Sequence, residues 1–291
     1  AASLEALRTL DAPAEVAFVL GHMGGTARLQ GDLDTAEGWL SECLALRQQL
    51  ADRPGQAIAL LELAGVAFMR EDYELARRHC AEGLAVGDSG GDLQTTAHLL
   101  TGLSLCQREL GQYGEAETCV RRSLAAYEAL GDRYGILQAC LTLGELNRRL
   151  GDQAAARSFC ERAVTIGQEI GDRSGEADGY YRLGQIAADL GARSEAFRHL
   201  RLALGRAHEI GETLLLLDIL LEIACLLADS DAARSACILA FLVDHPQVPD
   251  QRRARAAAVV EALPVANPHQ GTTFRQHTPG LSEVMALAMA G

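Results

Sequence analysis

Leu183 to Ala203, LGQIAADLGARSEAFRHLRLA, is the stretch whose reading decides the fold. Before Gly191 an apolar helical pattern runs from about Gly175 to Leu190 and carries the pair Leu183-Gly184. After it, from about Ser194 to Ile210, Ala196, Leu200, Ala203 and Leu204 recur at helical spacing. Gly211 then stands where a helix end favours the left-handed backbone that glycine adopts cheaply. The reading is helix A, tight turn, helix B.

The same phrase returns every forty residues. Ala36, Ala76, Ala116, Ala156, Ala196 and Ala236 are all alanine, and Gly24, Ala64, Ser104, Gly144, Gly184 and Ala224 are all small. Each small residue follows an apolar one: Met23, Leu63, Leu103, Leu143, Leu183 or Ile223. If a third of residues are small, six in a row arise by chance roughly once in a thousand. Helices approach closely only where neither carries bulk, so Gly184 and Ala196 are expected to mark the crossing of helices A and B. Between units runs a second phrase, seen as Ala51-Asp52-Arg53-Pro54-Gly55, Gly131-Asp132-Arg133-Tyr134-Gly135 and Gly171-Asp172-Arg173-Ser174-Gly175. Its glycine ends one helix and its aspartate is placed to cap the next.

The repeats divide the chain at about 11–50, 51–90, 91–130, 131–170, 171–210 and 211–243. Leu4 and Leu10 lie forty residues before Leu44 and Leu50, so residues 1–10 read as the tail of an earlier helix B, and an upstream portion is expected. Beyond Val243, His245-Pro246 and Val248-Pro249 break the pattern, and Asp250 is placed to cap a helix through about Leu263. Pro264 and Pro268 interrupt again, residues 269–280 read as a loop, and Leu281 to Met289 reads as a short apolar helix. Residues 244–291 are therefore the expected cap over the last apolar face, which a stack of repeats needs.

Composition narrows the chemistry. The chain is 48% hydrophobic but only 4% aromatic, with Trp39 its one tryptophan, so alanine, leucine and glycine fill the interior. A net charge of −13 argues against a nucleic-acid or anionic-membrane surface. All 26 basic residues are arginine, which excludes a phosphate-loop lysine, a Schiff-base lysine and a pyridoxal-phosphate site within these residues. The eight cysteines form no C-x-x-C pair and read as buried, reduced thiols of a cytoplasmic protein. No apolar run approaches the ~18 residues of a membrane span. His79-Cys80, His199 and His208 lack metal-ligand spacing, and no cofactor or metal is expected.

The residues Leu183-Gly184, Leu190-Gly191, Ala196 and Ala203, and likewise Leu143-Gly144, Leu150-Gly151, Ala156 and Ala163, resemble the tetratricopeptide-repeat (TPR) signature. The resemblance covers about residues 11–243, with a period of forty rather than thirty-four and without the usual proline ending helix B. Longer units with Gly-Asp-Arg linkers, a basic alanine-rich helix (Arg252 to Ala262) and a final Leu281-Ser282-Glu283 look like the C-terminal repeat arm of bacterial STAND-class signal-transduction ATPases related to the maltose-regulon activator. The resemblance implies an all-α, right-handed superhelix of about five full helix hairpins, with helix A on the concave side. It also implies a sensor arm that controls an upstream nucleotide-binding domain.

On that geometry, the repeat register selects the groove. One position reads Phe18, Ile58, His98, Gln138, Asp178 and Asp218; the position three later reads Gly21, Leu61, Thr101, Leu141, Tyr181 and Leu221. The next reads His22, Glu62, Gly102, Thr142, Arg182 and Glu222, and a fourth reads Gly25, Gly65, Leu105, Glu145, Gln185 and Cys225. A fifth aligns Arg28, Arg108 and Arg148, which either clamp a carboxylate or phosphate or pair with acids such as Glu109 and Glu145. The expected ligand contacts are Arg28, His98, Thr101, Leu105, Arg108, Gln138, Leu141, Thr142, Glu145, Arg148, Asp178, Tyr181, Arg182 and Gln185. Tyr181 reads equally as half-buried against the next unit.

Other motifs read as structural. Gly21-His22-Met23-Gly24-Gly25 lacks a following lysine and overlaps the helix-crossing register, so a nucleotide loop is not expected. Glu74 with Arg78, and Glu117 with Arg121, are spaced to pair on helix B. Arg252, Arg253 and Arg255 read as a solvated helix face. The function expected is a non-enzymatic arm binding a protein, peptide or small effector; the alternative is a free-standing adaptor. Self-association through uncovered terminal units is a further expectation.

Overall fold

Aspartates start these helices and glycines stop them. In the computed structural model, which describes residues 12–87, 92–263 and 280–290, Asp52, Asp132 and Asp172 each accept a hydrogen bond from the backbone N–H of Gly55, Gly135 or Gly175 at 2.9–3.0 Å. Asp32, Asp92, Asp152 and Asp231 cap other helices in the same way. Gly31, Gly111, Gly131, Gly151, Gly171, Gly191 and Gly211 all hold left-handed backbone, with φ between 67 and 87°. Ala51 and Glu71 occupy the same left-handed position at φ 53 and 62° without glycine's freedom. Asp250 does not cap its helix: it is the first helical residue, following Pro249, and no side chain caps that end.

The described residues form fourteen α-helices and no strand. Helix A of the successive repeats is α1 (Pro13–Leu29), α3 (Arg53–Met69), α5 (Leu93–Glu109), α7 (Arg133–Leu150), α9 (Arg173–Asp189) and α11 (Thr213–Leu227). Helix B is α2 (Leu33–Gln49), α4 (Tyr73–Gly87), α6 (Tyr113–Leu130), α8 (Gln153–Ile170), α10 (Arg193–Ile210) and α12 (Ala232–Asp244). Two further helices follow, α13 (Asp250–Ala262) and α14 (Leu281–Met289). The expected helix tail over residues 1–10, the prolines at 264 and 268 and all of the expected 269–280 loop but Gly280 lie outside the described residues. The chain forms two compact units, Ala1–Gly151 and Asp152–Gly291, with the boundary between the two helices of the fourth repeat.

In the first unit the A–B crossing is a leucine seated on a bare backbone. A Cβ added at Gly24 would lie 2.5 Å from Leu40 Cγ, with the Ala36 carbonyl oxygen 3.4 Å away. The second unit repeats the fit, with Leu200 Cγ 2.7 Å from a Cβ at Gly184. Leu40, Leu200, Ala36 and Ala196 are all fully buried. The alanine brings the helices close, and the leucine one turn later fills the space that glycine leaves. In the repeats between, the Gly24 register carries Ala64 and Ser104, and the Leu40 register the smaller Cys80 and Val120.

The sixth repeat departs from the forty-residue register. α11 ends at Leu227, and Asp231, at φ −147°, replaces the left-handed residue that ends helix A elsewhere. Helix α12 consequently starts one residue early. The buried small residue is Ser235, whose hydroxyl donates to the Ala224 carbonyl at 2.8 Å, while Ala236 is only half-buried.

Helices α13 and α14 are tied to the second unit through arginines. Arg253 donates to the carbonyls of Val243, His245 and Val248, tying α13 to the end of α12. Arg201 on α10 and Arg234 on α12 donate to the last carbonyls of α14, including those of Ala288 and Leu287 at 3.4 and 2.6 Å. Helix ends leave such carbonyls unpaired, and a cation there also opposes the helix dipole favourably. Val284 and Ala288 bury the apolar side of α14 in the same core as α11 and α12.

Two stability outcomes follow. Ala51→Gly should raise the melting temperature, by the equivalent of about 0.5–1 kcal/mol, and Gly171→Ala should lower it by a similar amount. Gly184→Leu should cost about 1–3 kcal/mol by overpacking Leu200, read from urea unfolding followed by circular dichroism. Normal unfolding of that variant would displace Gly184 from the crossing.

Candidate functional site

The helix-A face of each unit carries side chains that the core does not claim. In the first unit Phe18 is 60% exposed and Ile58 43%, in the same register, with His98 and Gln138 half-buried after them. His98 leans on the Tyr127 ring at 5.9 Å between centroids. Thr101 is held inward: its hydroxyl contacts Ser123 Oγ at 2.8 Å and the Ala97 carbonyl at 2.9 Å. Leu105 is half-buried, and Thr142 donates to the Gln138 carbonyl at 2.9 Å. Leu141 is a correction to the expected contacts. At 3% exposed it belongs to the core, whereas Thr101 and Tyr181 in the same register are half-buried.

The arginine register pairs with acids. Arg28 Nε donates to Glu62 at 3.0 Å, Arg108 to Glu109 at 2.7 Å, and Arg148 to the buried Glu145 at 3.3 Å. Arg149 shares Glu145 and reaches the Tyr113 hydroxyl at 3.3 Å. On helix B, Glu117 pairs with Arg121 at 2.6 Å, whereas Glu74 pairs with Arg77 rather than with Arg78.

A cleft of about 610 Å³ opens between α1, α2 and α3. Phe18 and Ile58 stand at its rim, His22 packs edge-on against Phe18, and Gly21, Gly25 and Arg47 line it more deeply. Sequence reasoning missed Arg47, which lies on helix B, outside the selected registers. Cys43, beside it, donates its thiol to the Ala17 carbonyl, and burial pushes its pKa up.

In the second unit the A face is a polar network. Arg182 pairs with Asp178 at 3.1 Å, and Gln185 donates to the Tyr181 hydroxyl at 2.9 Å and to Glu222 at 3.4 Å. Tyr181 is half-buried, and burial raises its pKa, with Glu222 and Asp218 adding to the shift. Two arginines of α13, Arg252 and the largely exposed Arg255, complete the network. Arg252 donates to Asp218 at 2.7 Å and Arg255 to Glu222 at 2.9 Å. Burial pushes the Asp218 carboxyl up, and Arg252 opposes that shift.

Among the described residues no group of three or more His, Cys, Asp or Glu is placed to hold a metal ion, and no helix is long and apolar enough to cross a membrane. None of the eight cysteines is in a disulfide, and six of them are buried. The Gly21–Gly25 segment is helical, within α1.

Family models described as tetratricopeptide repeat match residues 15–89, 56–129 and 137–167. The chain belongs to the tetratricopeptide-repeat family. No curated protein sequence matches it. Among solved structures it is similar to a STAND signal-transduction ATPase with a tetratricopeptide-repeat sensor from Pyrococcus horikoshii, at TM-score 0.72 and 14% identity. That likeness covers 88% of this chain but only 40% of the ATPase. It is also similar to the apo quorum sensor NprR from B. thuringiensis, at TM-score 0.66 and 11% identity over 90% of this chain and 74% of that one. A third is BtubC from P. vanneervenii, at TM-score 0.65 and 18% identity over 72% of this chain and 88% of that one. These likenesses establish a shared TPR-like fold.

A bidentate ion pair of this TPR chain joins two neighbouring B helices. Arg157 on α8 holds both oxygens of Glu195 on α10, at 2.7 and 3.1 Å, and draws its carboxyl down to about 2. A depressed carboxylate stabilises the fold above its ordinary pKa near 4.3, and that contribution fades as pH falls toward the folded value. Burial likewise lowers His199, stacked on Tyr180, so acid also works against its neutral form. NMR titration should place Glu195 near 2, and Arg157→Gln should return it toward the ordinary range.

Proposed function

We propose that this TPR chain is the non-enzymatic sensor arm of a multidomain signalling or transcriptional regulator, binding a protein, peptide or small effector on its helix-A face. The carrying observation is the contrast between frame and face. Small crossing residues are buried in repeat after repeat, while the helix-A registers change from Phe18 and Ile58 to Asp178 and Asp218. Repeat proteins use one scaffold to present such a varied surface to a partner. The likeness to a STAND sensor and to a quorum sensor supports this reading, as does the absence of lysine for phosphate-loop chemistry within these residues. A nucleotide-binding domain upstream and a cytoplasmic setting belong to the same proposal. No nucleic-acid or membrane partner is proposed for a surface of net charge −13.

The second reading is a free-standing adaptor that joins two proteins. A G-x-x-x-x-G-K-[ST] motif earlier in the full-length gene would select the regulator, and its absence the adaptor.

The face assignment is tested by comparing protein capture from host extract by three forms of the chain. Arg108→Glu with Tyr181→Ala should lose the captured partner about tenfold or more. Arg78→Glu with Arg121→Glu, on helix B, should retain it. The reverse pattern, or equal capture by all three, would overturn the helix-A face as the binding surface.

A further inference from the structure

The first repeat carries three helical glycines that its packing does not require, Gly21, Gly25 and the solvent-facing Gly38, and the first two line a cleft. Gly24 is a packing glycine, because any side chain there meets Leu40. Gly21 and Gly25 differ. A Cβ at Gly21 would lie 3.5 Å from Cys43 Sγ and 3.8 Å from Arg47 Nη2, and one at Gly25 would lie 3.5 Å from Glu62 Oε2. Those are ordinary contact distances, and neither residue has the positive φ that calls for glycine. A glycine in mid-helix is less stable than alanine, and Gly21 and Gly25, unlike the solvent-facing Gly38, leave bare backbone along a cleft. In the later repeats the Gly21 register carries Leu61, Thr101, Leu141, Tyr181 and Leu221.

The cleft measures about 610 Å³, within the size range of small-molecule sites. Its rim is apolar, through the exposed Phe18 and Ile58 rings and branches. At its base lies Arg47, with only 14% of its side chain exposed. One edge of that guanidinium leans toward Asp52 Oδ2 at 3.5 Å, its Nε has no hydrogen-bond partner, and its Nη2 lies beneath Gly21. The other charges on the cleft, Arg28 and Glu62, satisfy each other at 3.0 Å. An arginine held by Asp52 and Cys43 but with its Nε unsatisfied, below an apolar mouth, suits one chemistry.

We infer that the cleft between α1, α2 and α3 binds an apolar carboxylate, with its hydrocarbon part between Phe18 and Ile58 and its carboxylate accepting hydrogen bonds from Arg47. Arginine is well matched to a planar carboxylate, and a partly buried setting strengthens the bond. A free small acid and the carboxy-terminus of a peptide present this same chemistry. The inference deepens the helix-A reading and rests on it for context, yet it fails or stands on different residues.

The test uses the whole chain and two acid–amide pairs: 4-phenylbutyrate with 4-phenylbutyramide, and N-acetyl-leucyl-phenylalanine with its carboxamide. Calorimetric titration should show at least one acid binding about tenfold or more tightly than its amide. Binding of phenylbutyrate alone identifies a free acid as the ligand type, and binding of the dipeptide alone a chain end. Arg47→Gln should erase the acid–amide difference. Gly21→Ala should raise the melting temperature while weakening binding, and Gly21→Leu should abolish binding with helical circular dichroism intact. Failure of both acids to bind, equal affinity for acid and amide, or unchanged binding by Gly21→Leu would overturn the site. Should Arg47→Gln unfold, the acid–amide comparison on the native chain and Gly21→Leu still decide. Loss of the cleft with the Arg108/Tyr181 effect on partner capture retained would remove this inference alone.

Discussion

Leu40 on the backbone of Gly24, and Leu200 on that of Gly184, are the contacts from which each unit is built. Helices brought that close leave no room for slack, so the residues around the crossing are fixed by sterics and not by surface chemistry. The alanine at the crossing brings the axes together, the glycine receives the leucine, and the capped turn sets where helix B begins. A turn that changes length therefore moves every later contact. The sixth repeat does this: with Asp231 in place of the left-handed residue, Ser235 takes the buried position and bonds to Ala224.

Arginine is the second organising element, and its place in the chain is linked to the absence of lysine. Arg70 spans from the end of α3 to Asp34 and Glu37 on α2, and Arg157 spans from α8 to Glu195 on α10. Arg201, Arg234 and Arg253 reach backbone carbonyls, and Arg252 and Arg255 reach the acids of α11. A planar guanidinium can serve two acceptors at once, which an ammonium does less well. The arginines that look like a ligand clamp in the sequence are largely spent on this internal wiring. Surface pairs of that kind contribute little individually, so the repeats rest on packing first.

Much of the fold was legible from spacing alone, because a forty-residue period imposes the same steric demand six times. Asp52, Asp132 and Asp172 cap where the Gly-Asp-Arg phrase placed them, and the helix limits near 175–190 and 194–210 lie within a few residues of α9 and α10. The candidate face was less legible. Leu141 shares a register with Tyr181, yet one is core and the other half-exposed, since exposure depends on which neighbour stands opposite. Arg47 gave no signal, because nothing in its own helix shows that Gly21 lies bare above it.

By itself the sequence determined the unit, its helix ends and its small crossing residues, since each follows from local backbone preference repeated at fixed distance. Only the tertiary structure separated Gly24 from Gly25. They are adjacent and chemically identical, but a helix turns about 100° between them. One therefore faces Leu40, where a side chain cannot fit, and the other faces an open cleft, where one could.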